Sequence, residues 1–106
     1  MVRVYESMMI LMPDLDDAGR EEVFQKVTKK IEELEGKMLL SKIWAKEHEF
    51  CFTIKSRGAD RKDCRSGCYW LINFSLNTEK LPDLKEMIRL EERILRNNLI
   101  RNDKAN

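Results

Sequence analysis

The sequence predicts an α+β domain of element order βαββαβ: a four-stranded antiparallel sheet with two helices on one face. Three observations predict it. Two stretches, Val2–Met12 and Gly67–Ser75, are almost free of charge in a chain that is 37% charged. Each is followed by a stretch whose apolar residues recur at helical spacing. Two weaker strand patterns, one between the first helix and Gly67 and one at the end of the chain, complete the order. A short run rich in aromatic and β-branched residues is a strand signature, and one apolar on both faces belongs in the middle of a sheet.

In the first strand, period two puts Tyr5, Ser7, Met9 and Leu11 on one face. Val4, Glu6, Met8 and Ile10 share the other. Pro13 stops it, and Asp14, Asp16 and Asp17 supply caps and favourable charge for a helix start. The first helix is expected from about Asp17 to Glu35, with Val23, Phe24, Val27, Ile31 and Leu34 as its apolar stripe. Gly36 is the expected left-handed stop.

Lys37 to Ile54 reads as a strand region interrupted at Lys46-Glu47-His48-Glu49: one long bent strand with a bulge, or two short pieces. Lys55 to Ser66 reads as a loop with five bases against two acids. The third strand begins at Cys68, with Tyr69, Leu71 and Asn73 on one face and Cys68, Trp70, Ile72 and Phe74 on the other. Asn77-Thr78 and Pro82 open the second helix, whose stripe is Leu81, Leu84, Met87 and Ile88. Ile94 to Arg101 is an edge-like last strand, and the tail from about residue 102 is expected to fray.

Residues 1–106 thus read as a single split βαβ domain. Right-handed crossovers give strand order 4-1-3-2, leaving the sheet face away from the helices open.

Composition excludes more than it selects. No apolar run approaches a membrane span, and Met-Val-Arg-Val-Tyr-Glu reads as strand rather than as a secretion signal. With 20 basic and 19 acidic residues, nucleic-acid binding requires the bases to segregate onto one surface. Cys51, Cys64 and Cys68 read as reduced thiols, because with His48 they offer no second close pair for a metal. His48 has no nucleophile or acid placed to make it a base, so it reads as exposed and inert. No Gly-rich phosphate loop is present.

The bases do cluster. Arg89, Arg93, Arg96 and Arg101 crowd the second helix and last strand, and Arg3 opens the first strand. Lys55, Arg57, Arg61, Lys62 and Arg65 load the loop. With strands 1 and 4 adjacent, Arg3, Arg96 and Arg101 are expected along one flank, spaced for successive phosphates. Tyr69 on the open face either stacks a base or is ordinary sheet surface, since the aromatic signature of the common single-strand RNA module is absent.

Six segments then succeed one another in a familiar order. They are Arg3-x-Tyr5-Glu6 running to Pro13, the Glu35-Gly36 helix end, Trp44, Phe50-Cys51-Phe52-Thr53-Ile54, Gly67-Cys68-Tyr69, and Arg89-Leu90-Glu91-Glu92-Arg93-Ile94-Leu95-Arg96. Together they resemble, over nearly the whole chain, the family of ribosomal protein six of the bacterial small subunit, in a divergent form. The resemblance implies a ferredoxin-like fold and a structural part of the ribosome, with no catalysis, cofactor, small-molecule substrate or membrane. It implies binding to the central domain of small-subunit rRNA as a heterodimer with ribosomal protein eighteen. On that reading Arg3, Tyr69, Arg89, Arg93, Arg96 and Arg101 meet RNA, while Trp44, Lys55, Arg57 and Arg61 meet the partner protein. The compartment is the cytoplasmic ribosome or an organellar one. The alternative is a ferredoxin-like small-molecule sensor or dimerising regulatory domain that uses the open sheet face.

Overall fold

The structure, a computed structural model, describes residues 1–55 and 63–101. Its elements are β1 (Val2–Leu11), α1 (Asp17–Glu33), β2 (Lys37–Lys55), β3 (Asp63–Asn77), α2 (Leu81–Leu90) and β4 (Ile94–Arg101), with a 3-10 turn at Thr78–Lys80 before α2. The strands form one antiparallel sheet in the order β2-β3-β1-β4. This is the expected order read from the other edge, and the fold is ferredoxin-like. The expectation of a frayed tail from 102 lies outside the described residues.

The core follows the period-two reading. Tyr5, Met9 and Leu11 of β1 and Trp70, Ile72 and Phe74 of β3 are buried together with Val23, Val27 and Ile31 of α1 and Leu84 and Ile88 of α2. Ser7, fully buried on the same side, donates its hydroxyl to Asn97 Oδ1 and so brings a polar pair into the β1–β4 seam. Trp70 buries its indole and donates Nε1–H to Ser41 Oγ at 2.8 Å. Asp16 caps α1 by accepting from the Gly19 N–H at 2.7 Å, and Asn77 accepts from the Glu79 N–H at 3.0 Å where the chain enters the 3-10 turn.

Two local expectations are corrected, and one left open between two forms is decided. Helix α1 ends at Glu33, and the left-handed residue is Glu35 (φ 64°), not Gly36. The Glu35 N–H bonds to Glu32 O and the Gly36 N–H to Ile31 O, which is the Schellman pattern, and it places the left-handed position one residue before the glycine. Gly36 is needed for another reason: a Cβ there would lie 2.6 Å from the Ser75 carbonyl oxygen.

Secondly, the region 37–54 takes the first of its two expected forms, one long strand with bulges, its register against β3 shifting at several points between Met38 and Ile54. Thirdly, β3 starts at Asp63. Ile54 pairs with Cys64 and Lys55 with Asp63, so the last four residues read as loop are strand.

The lengthened hairpin changes the open face. Its far half carries Ile54 and Cys64, which bury with Leu95 in a second small cluster against Ile10, Met12 and Phe50. Gly67 makes this approach possible, since a Cβ there would stand 2.7 Å from Ile10 Cγ2 and from the Leu11 carbonyl oxygen. Among the described residues, the side of the sheet away from the helices is therefore capped at one end by the hairpin and uncovered along the rest.

Candidate nucleic-acid and protein interface

Register assigns each basic residue to a side of the sheet, since residues directly opposite one another point the same way. Arg101 stands opposite Tyr5, and Asn97 and Leu99 stand opposite Met9 and Ser7; all share the helix-covered side, as does Arg3 by alternation from Tyr5. Arg96 stands opposite Ile10, whose other neighbour is Tyr69, so Arg96 belongs to the uncovered side. The expected single row of Arg3, Arg96 and Arg101 is thus divided. Arg3 and Arg101 come together at one end of β1, and Arg96 lies on the opposite face toward the other end.

On the helix side, a groove between α2 and β4 is lined by Lys85, Ile88, Arg89, Asn97, Asn98 and Leu99, with a volume of about 420 Å³. β4 continues beyond Leu99 to Arg101. Arg89 sits exposed on this rim, its Nη2 2.6 Å from Glu86 Oε1; that hydrogen bond holds the Glu86 carboxyl below the usual range and the guanidinium above its own. Arg93 is more tightly engaged. Its Nε donates to Glu91 Oε1 at 2.8 Å, its backbone N–H donates to the same oxygen at 3.2 Å, and Glu22 of α1 lies 3.7 Å from its Nη1. Arg93's side-chain hydrogen bonds pull the Glu91 carboxyl down to about 2 against the opposing effect of burial, with Lys26 of α1 contributing at 3.2 Å. This clamp ties α1, the end of α2 and the entry to β4 together, so Arg93 acts within the fold.

The uncovered side is aromatic and apolar. The register shift between Ile43 and Ala45 leaves Trp44 extra in β2. Its ring lies 5.4 Å from both Tyr69 and His48, while His48 meets Tyr69 edge-on at 5.0 Å and Phe50 lies 6.2 Å from Tyr69. Trp44 remains 54% exposed, and Leu40, opposite Asn73 on the same side, is also exposed. His48, expected to be exposed and inert, is exposed but belongs to this cluster. Its shared parity with Trp44, four residues earlier, is the sequence signal that carries this.

Where the hairpin bends over the sheet, a cleft of about 280 Å³ is lined by Ile10, His48, Glu49, Phe50, Ile54, Tyr69 and Arg96. Trp44, expected to meet protein, and Tyr69, expected to meet RNA, therefore form one surface. Lys55 is exposed at the end of β2. Arg57 and Arg61 lie outside the described residues.

Cys64 and Cys68 are buried, Cys64 in the hairpin cluster and Cys68 in the main core, where burial pushes its thiol up against the opposing pull of Arg20 and Lys46. The side chain of Cys51 lies outside the described residues. Among the described residues no helix is long and apolar enough to cross a membrane.

Comparison with known proteins agrees with this architecture. The sequence model of a family described as "Ribosomal protein S6" matches residues 4–101. The chain is 31% identical over 104 residues to the small ribosomal subunit protein bS6 of Carboxydothermus hydrogenoformans, covering 98% of this chain and 100% of that one. It is 28% identical over 102 residues to the protein of the same name from Desulforudis audaxviator, covering 96% and 100%. The crystal structure of 30S ribosomal protein S6 from Thermotoga maritima superposes with a TM-score of 0.82 at 28% identity, over 96% of this chain and 89% of that one.

Proposed function

This chain belongs to the ribosomal protein S6 family, a structural constituent of the small ribosomal subunit and not an enzyme, and from that premise we propose how it is held there. Its bacterial-type relatives indicate a ribosomal protein of the cytoplasmic small subunit. Family membership leaves the small-molecule sensor without support. In our reading the chain, as one domain, joins ribosomal protein eighteen through the uncovered sheet side and binds the central domain of small-subunit rRNA through the α2–β4 flank.

The observation that carries this reading is the division of the surface into two chemistries. Trp44, Tyr69 and the exposed Leu40 form an apolar-aromatic face, the composition found at the buried centre of protein interfaces. The helix side carries Lys85 and Arg89 along its groove and Arg101 and Arg3 at the sheet's end, suited to phosphates. A near-neutral chain follows, because only one of its two surfaces addresses a polyanion.

The test is the salt dependence of rRNA binding by the preformed protein pair. Each lost phosphate contact should flatten the log–log slope by about 0.7–0.9. Arg101→Ala is expected to do so, and Lys29→Ala, exposed on α1, to leave it unchanged. A wild-type slope in Arg101→Ala removes this flank from the RNA site.

A further inference from the structure

Arg96 stands apart from the other arginines in a way that reassigns it. Among the described residues its side chain makes no hydrogen bond or ion pair, whereas those of Arg89 and Arg93 are each engaged with carboxylates. It lies on the uncovered side, opposite Ile10, at the mouth of the cleft between the hairpin and the sheet. The floor of that cleft is Ile10, Phe50 and Ile54, and Tyr69 forms its wall on the side of the Trp44 cluster.

We propose that this cleft is the anchor pocket for the partner protein: it takes one apolar side chain of ribosomal protein eighteen, whose neighbouring carboxylate pairs with Arg96. The inference rests on the partner reading given above and adds the pocket, the chemistry of the anchor and the role of Arg96.

Charge decides between a protein and an RNA occupant. Glu49 lines the same cleft, and Glu6 lies on the same side of the sheet, opposite Ile100 of β4. A phosphate chain crossing this face would bring its negative charges against both carboxylates. A polypeptide carries no such obligatory charge, and a single carboxylate can meet Arg96 while its apolar neighbour fills the floor. An unpaired guanidinium beside an aromatic-walled, largely apolar pocket is the usual make-up of an interface hot spot, where Arg, Tyr and Trp are enriched. The pocket is also continuous, through Tyr69, with the exposed Trp44. One partner segment therefore has an unbroken apolar path from the β2 edge into the cleft.

The test measures heterodimer affinity without RNA and then the rRNA salt slope of the saturated pair. Arg96 is exposed, so its substitution leaves the core untouched, and matching melting curves check this. Arg96→Ala is expected to weaken the heterodimer about tenfold and Arg96→Glu by more, since the latter adds like-charge repulsion. The salt slope of the saturated pair should stay at the wild-type value. If heterodimer affinity is unchanged while the slope falls by about 0.7–0.9, Arg96 contacts a phosphate and the proposal is overturned in favour of RNA. If wild type binds the partner and both quantities are unchanged in the variants, the pocket is not the anchor site, although the partner reading stands. If wild type forms no heterodimer, the partner reading itself fails and the inference falls with it.

Discussion

Glu35 holds a left-handed backbone, which costs a residue with a side chain roughly 1–2 kcal/mol relative to the right-handed region. The Schellman hydrogen bonds from Glu35 and Gly36 to the last turn of α1 fix that position regardless of the side chain. Gly36 cannot exchange roles with it, because the helix-to-strand turn brings its Cα against the Ser75 carbonyl and Leu76 Cδ1. A glycine at a helix end therefore announced the stop correctly but served close packing rather than handedness. Glu35→Gly is expected to stabilise the protein by about 1 kcal/mol, partly offset by the greater freedom of glycine in the unfolded chain. Gly36→Ala should destabilise it, since its Cβ meets a backbone oxygen that cannot rotate away. Thermal melts of both variants check the pair. A lower melting temperature for Glu35→Gly would mean that the glutamate side chain contributes more than its backbone costs.

Between elements, the Glu91–Arg93–Lys26 clamp joins the two helices to β4 and sets an acid limit on their packing. The folded Glu91 carboxyl is depressed to about 2 from an ordinary 4.5, so its contribution is complete above the unfolded value. It is lost as pH falls from 4.5 toward 2, where the folded protein at last takes up the proton that the unfolded chain already binds. Glu91→Gln should make stability less steep across that window and lower it at neutral pH. Denaturant midpoints at several pH values would show it, and parallel wild-type and variant profiles would exclude the clamp.

The helices, β1 and the central part of β3 were legible in the sequence because one buried face imposes a clear period on each. The far hairpin was not. Its two strands bury Ile54 and Cys64 against Leu95, a contact between residues far apart in the chain, and its bulges break the alternation that would have announced it. Charge in the 55–66 stretch favoured a loop, yet Asp63, Cys64 and Ser66 are strand residues because pairing with β2 satisfies their backbone whatever the side chains carry.

For the whole molecule, the arginines were visible as a cluster in sequence, but their division between two faces depends on register, and register follows from which residues are buried. Once Tyr5, Ser7 and Met9 face the helices, Arg101, Leu99 and Asn97 must do so as well, and Arg96, opposite Ile10 in the same register, falls by alternation to the other face. The two proposed binding surfaces, on opposite faces with no side chain shared, should act independently in the assembly of the subunit. Mutations at distant sites without common partners add to within about 0.3–0.5 kcal/mol, whereas residues of one network couple more strongly. Trp44→Ala should weaken the heterodimer and leave the rRNA salt slope of the saturated pair unchanged. Arg101→Ala should do the reverse, and the double variant should show the sum of the two losses in the free energy of forming the three-component complex. The cycle is read from titrations of protein pair and RNA at fixed salt. A coupling energy well above 0.5 kcal/mol would show that the partner or the RNA reaches around the edge strand β4 to touch both faces, and the two surfaces would then have to be treated as one site.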